Sequence, residues 1–110
     1  MNDTNFLILR ANDGQAAAIS QIPVHDAARF HRTMQDALAS PNRRVLAFFA
    51  MPEDGGTSRL IAVIGDAAEH TFMLASSTAG DEYPALTPEI PALHWFEREI
   101  AEQYGITPTG

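Results

Sequence analysis

"RVLAFFAMPEDGGTSRLIAVIG", residues 44–65, decides the fold. Its two flanks, 44–51 and 59–65, are rich in β-branched, aromatic and aliphatic residues, which suit a pleated surface. Between them "PEDGGTS" (52–58) combines proline, acids and paired glycines, a composition that lets the chain reverse. The stretch therefore predicts a β-hairpin, and with it a sheet. "EDGG" at 53–56 is read as part of that turn and not as a phosphate loop, because no G-x-G-x-x-G pattern or GKS/GKT follows and no helix opens there.

Upstream, from about Pro23 to Ser40, the apolar positions Ala27, Phe30, Met34, Ala37 and Leu38 recur at helical spacing, with Arg29, Arg32, Gln35 and Asp36 largely opposite. This is an amphipathic helix, stopped by "SPN". Before it, "FLILRA" (6–11) and "AAAISQI" (16–22) flank Asn12-Asp13-Gly14, a tight-turn sequence that predicts a first hairpin. Downstream, "HTFMLASS" (70–77) suits another strand. "TAGDEYPALTPEIP" (78–91) reads as an extended surface segment, since each residue before a proline is pushed away from helix. A last helix spans about Pro91 to Tyr104, with proline in its first turn and Gly105 placed as its C-terminal cap. The fold class is α+β: two helices on an antiparallel or mixed sheet of about five strands, in the order ββαβββα.

The 110 residues suit one domain, 1–110, with a modest core, and no repeat, linker or low-complexity tract divides them. Acidic residues outnumber basic ones by 14 to 7, for a formal charge of −7, which opposes nucleic-acid binding and attachment to anionic lipid. There is no cysteine, so disulfides, thiolate nucleophiles and cysteine-held zinc or iron–sulfur clusters are excluded from this chain. No stretch approaches the roughly 20 apolar residues of a membrane-spanning helix, so direct membrane insertion is not expected. The start, "MNDTNFLILRANDG", has neither the charge nor the apolar run of a targeting signal.

Candidate chemistry is sparse. His25, His31, His70 and His94 are scattered without an i, i+4 pair or an HExxH pattern, and the only grouping, His25 with Asp26 or His31, is a weak metal motif. No metal site is expected. Ser76, Ser77 and Thr78 lack a nucleophile elbow. The last helix is more informative. At about 100° per residue, Leu93, Phe96, Ile100 and Tyr104 gather on one side as the stripe for the sheet. Trp95 lies roughly opposite, flanked by Arg98, Glu99 and Glu102. Three readings fit: a loop of the same chain covers Trp95, another polypeptide does, or Glu97, Glu99 and Glu102 serve as acid or base in a small stand-alone enzyme.

"YPALTPEIPALHWFEREIAEQYGI" (83–106) resembles the signature of the thirty-kilodalton (30 kDa) subunit of respiratory NADH:quinone oxidoreductase, complex I, and of the equivalent domain in membrane-bound nickel–iron hydrogenases. The residues that carry the likeness are Thr87, Pro91, Ala92, Trp95, Phe96, Glu97, Arg98, Glu99, Glu102, Tyr104, Gly105 and Ile106. Glu102 stands where aspartate is commoner, and His94, Ala101 and Gln103 depart from the usual residues. "TPxxPA" before the tryptophan and P-x-G after Gly-Ile are more similar to the hydrogenase branch, of the formate hydrogenlyase type, than to the NADH dehydrogenase branch. The resemblance implies a non-catalytic scaffold in a peripheral electron-transfer arm, forming the N-terminal part of a longer chain. It implies no cofactor in this domain, with the NiFe centre and Fe-S clusters held by partner subunits or domains. The implied partners are the large subunit and the Fe-S subunits, with a cytoplasmic location, peripheral to the inner membrane through the complex. Trp95, Arg98, Glu99 and Glu102 are then the expected partner-binding residues, Arg98 offering a planar donor fork for that contact.

Overall fold

The computed structural model describes residues 5–10 and 19–109. Its strands and helices, in chain order, are β1 (Leu7–Arg10), β2 (Val24–His25), α1 (Ala27–Leu38), β3 (Arg43–Pro52), β4 (Ser58–Asp66), β5 (Thr71–Ala79), β6 (Glu82–Pro84), α2 (His94–Tyr104) and β7 (Thr107–Thr109). The main sheet runs β1-β5-β4-β3, antiparallel throughout, and β2 adds to it in parallel against the C-terminal half of β5. β6 and β7 form a separate parallel pair. The expected α+β architecture is present, with two helices and a mainly antiparallel five-stranded sheet.

The 44–65 hairpin forms as β3 and β4, with Phe48 opposite Ala62 and Phe49 opposite Ile61. Its turn works because Gly55 and Gly56 adopt φ of 85° and 81°, where a side chain would be strained. Since residues paired across strands share a face, the register sorts the apolar runs onto two sides. Phe48, Ala62 and Ala75 form one row on the helix side, and Ile64, Met73 and Ile8 another. Leu46, Phe49 and Phe72 are the exposed large apolar side chains of β3 and β5. The strands read as nearly continuous apolar runs because both faces carry apolar residues.

α1 starts where Asp26 caps it, its Oδ1 accepting from the Arg29 N–H at 2.8 Å. Phe30, Thr33, Met34 and Ala37 form its buried stripe, and Phe30 stacks on Phe48 at 6.1 Å between ring centroids. The Arg43 guanidinium donates to Asp66 at 2.9 Å, tying the start of β3 to the end of β4.

Four expectations change. The turn and most of the first hairpin's second strand, residues 11–18, lie outside the described residues; of the rest, 19–21 make a 3-10 turn and not a strand, and β1 pairs with β5. Pro23 does not begin the helix, because Val24 and His25 pair with Ser76 and Ser77 before α1 opens. The 78–91 segment is not simply a surface tether: Thr78 and Ala79 finish β5, and Tyr83, Leu86 and Ile90 are buried in the core. Tyr104 leaves the apolar stripe of the last helix and is 41% exposed, while β7 follows as an unforeseen strand.

Candidate functional site

α2 is held at both ends by the segments that flank it. The Ala85 N–H donates to the Thr109 carbonyl at 2.7 Å and the Thr107 N–H to the Asp81 carbonyl at 2.8 Å, closing the chain around the helix. A 3-10 turn, Pro91–Leu93, leads in, where proline's missing N–H costs nothing. Gly105, at φ 66°, ends the helix in the left-handed conformation and its N–H donates to the Ala101 carbonyl at 3.1 Å. Leu93, Ile100 and Ile106 are buried, and Phe96 packs at the edge of the same core.

Glu97 does not belong to the charged face. It is 3% exposed, and its carboxylate receives the Leu86 N–H at 3.1 Å on both oxygens, the Thr87 N–H at 2.8 Å, and the Thr87 hydroxyl. A buried carboxylate is tolerable only when its lone pairs are filled this way, and its place in the first turn also suits the helix dipole. Glu97 thereby latches the 86–87 turn to α2. Beside it, Tyr83 is buried with its hydroxyl toward the Glu97 carboxylate, short of well-formed hydrogen-bond geometry. Burial first, then the neighbouring Glu97 carboxylate, pushes the Tyr83 phenol well above its ordinary range.

The outward side of α2 presents Trp95, 67% exposed. The Arg98 guanidinium lies 5.7 Å from the indole centroid and also donates to Glu102 at 3.1 Å, one turn on. The His94 ring meets the indole edge-on at 5.5 Å. Glu99 and Glu102 are exposed beside them. Trp95, Arg98, Glu99 and Glu102 therefore share one open face, and no loop among the described residues seals Trp95.

The remaining residues singled out in the sequence fall into place around this helix. Thr87 and Glu97 meet, Pro91 opens the lead-in turn, Ala92 is exposed, Gly105 caps and Ile106 is buried. The spacing of Thr87 and Glu97 in sequence does not announce their contact; the only signal was their shared membership of the 83–106 stretch. His25 Nε2 lies 2.8 Å from the Asn5 carbonyl oxygen, and His31 lies 3.4 Å from Glu89, so the histidines do not converge. Among the described residues no group of three or more His, Asp or Glu is placed to hold a metal, and no helix is long and apolar enough to cross a membrane. Ser76 Oγ donates to the Pro23 carbonyl at 3.0 Å inside the sheet.

Fold and helix together define the class: a compact α+β protein whose last helix is latched inward by a carboxylate and turned outward by a tryptophan. Comparison with known proteins gives a local likeness. The chain is 52% identical over 29 residues to formate hydrogenlyase subunit 5 of Escherichia coli (strain K12), and equally to hydrogenase-4 component G of the same organism. In each case the match covers 26% of this chain and 5% of the relative. No protein-family model matches the chain. The chain thus shares a short stretch with subunits of hydrogenase-type complexes.

Proposed function

We propose that this chain is a non-catalytic assembly element of a membrane-associated oxidoreductase complex of the nickel–iron hydrogenase type, within the thirty-kilodalton subunit family. The observation that supports the complex is the 52% identity over 29 residues to two hydrogenase-complex subunits. Docking onto a cluster-bearing or large subunit is assigned to Trp95, Arg98, Glu99 and Glu102. An indole 67% exposed on an otherwise latched helix is the kind of anchor that partner surfaces use. The chain itself carries no cofactor in this reading, since it has no cysteine to hold a cluster. The redox centres sit in its partners, on the cytoplasmic side of the inner membrane.

The enzyme reading gains nothing from the geometry. Glu97 is filled by its own hydrogen bonds, and Glu99 and Glu102 stand on an exposed helix face. A cleft of about 520 Å³ lies at the far side of the sheet between Arg44, Leu46, His70 and Phe72.

The test is to tag the full-length protein in its own host, purify it, and assay nickel, iron and subunit composition. Co-elution of nickel- and iron–sulfur-bearing subunits is expected, with recovery reduced by Trp95→Ala. Elution without any redox subunit would sink the proposal.

A further inference from the structure

The charge around the exposed indole specifies what meets it. From residue 81 to the end the sequence sets six acids, Asp81, Glu82, Glu89, Glu97, Glu99 and Glu102, against a single arginine, Arg98; with Glu97 turned inward the acids still outnumber it five to one, within a chain whose formal charge is already −7. Arg98 is engaged: its guanidinium sits near the indole and holds Glu102. Glu99, one helical turn beyond Trp95 and on its side of α2, pairs with no cation among the described residues. An acidic partner would be repelled here, and a purely apolar one would strand the Glu99 carboxylate under the contact without a counter-charge.

We infer that the Trp95–Glu99 stripe receives an arginine from a positively charged face of the partner polypeptide. The inference rests on the docking reading above and adds the partner's chemistry to it. A planar guanidinium satisfies both groups at once, stacking on the indole while its N–H fork pairs with the carboxylate. Arg98, 5.7 Å from the ring centroid, already makes half of that arrangement from within the chain. A basic partner also explains why the face can stay acidic: opposite potentials speed encounter and fix orientation, and the acid excess keeps copies of this chain apart.

The experiment measures binding of the purified full-length protein to the purified iron–sulfur subunits of its host's hydrogenase, at low and at high salt. Variants are Trp95→Ala, Glu99→Gln and Glu99→Lys, with Asp36→Asn on the outer side of α1 as the control, each checked for an unchanged melting temperature. Expected are losses of about tenfold or more for Trp95→Ala and Glu99→Lys, a few-fold loss for Glu99→Gln, none for Asp36→Asn, and weaker binding in high salt. If Trp95→Ala weakens binding while both Glu99 variants match the control and salt has no effect, docking stands and the basic partner is wrong. If Trp95→Ala binds like the unaltered protein, the docking reading and this inference fall together.

Discussion

Glu97 has the most to lose by substitution. Three donors converge on its carboxylate, from Leu86 and Thr87, and all would lose their acceptor without it, the Leu86 N–H in a buried site. Glu97→Ala should therefore lower stability by about 3 kcal/mol, read by urea denaturation, whereas Glu97→Gln keeps an acceptor and should lose about half of that. Trp95 predicts the opposite. Because it is 67% exposed, Trp95→Ala should change stability by no more than about 0.5 kcal/mol, and a loss of several would mean that the indole is part of the core. Tyr83 gives a third expectation. Its hydroxyl is buried against the Glu97 carboxylate without a well-formed hydrogen bond, so Tyr83→Phe should change stability by no more than about 1 kcal/mol in the same denaturation assay. Its folded-state ionisation is raised, so the contribution it makes is present below the ordinary value of 10.0 and lost as pH rises beyond it. In an alkaline ultraviolet titration, the Tyr83 phenolate should appear only as the protein unfolds, and Tyr83→Phe should remove that late step.

At the scale of elements, α2 and its lead-in behave as one unit. Gly105 ends the helix at φ 66° with open space around it, so Gly105→Ala meets no clash and pays only for the left-handed backbone. A loss of about 1 to 2 kcal/mol is expected by thermal melting, and no loss would mean the helix ends differently. The cap was legible because glycine after a helical run is a local signal. The 44–65 hairpin was legible for the same reason. Around the first hairpin the evidence was also local: a turn-like tripeptide and an apolar run do not reveal that 19–21 make a 3-10 turn or that β5 offers one edge to β1 and β2 in succession. Tyr104 failed by a related route. Helical periodicity put it on the apolar side, but the core ends with Ile100 and resumes at Ile106, leaving the last turn beyond its reach.

Across the whole molecule, the sheet is pinned at one end by Arg43 and Asp66, and this sets its response to acid. The Arg43 hydrogen bond, followed by that from the Glu69 N–H at 3.0 Å, holds the Asp66 carboxyl below its ordinary 3.8. In acid the unfolded chain then binds the proton more tightly than the folded one, so stability rises with pH across that interval. The contribution is complete above the ordinary value and disappears as pH falls below 3.8 toward the depressed one. A melting-temperature profile should show this loss in the unaltered protein and a shallower acid limb in Asp66→Asn; equal limbs would remove Asp66 from the account. What the sequence by itself determined was whatever rests on neighbours along the chain: the hairpin, the two amphipathic helices, the glycine cap, the acid excess and the separation of Trp95 from the apolar stripe. Only the tertiary structure decided that β5 gathers β1 and β2, that β6 and β7 close around α2, and that Glu97 turns inward to hold Thr87 while Trp95 stays in solvent. Those outcomes depend on hydrogen-bond and burial partners distant in sequence, which a periodicity cannot name.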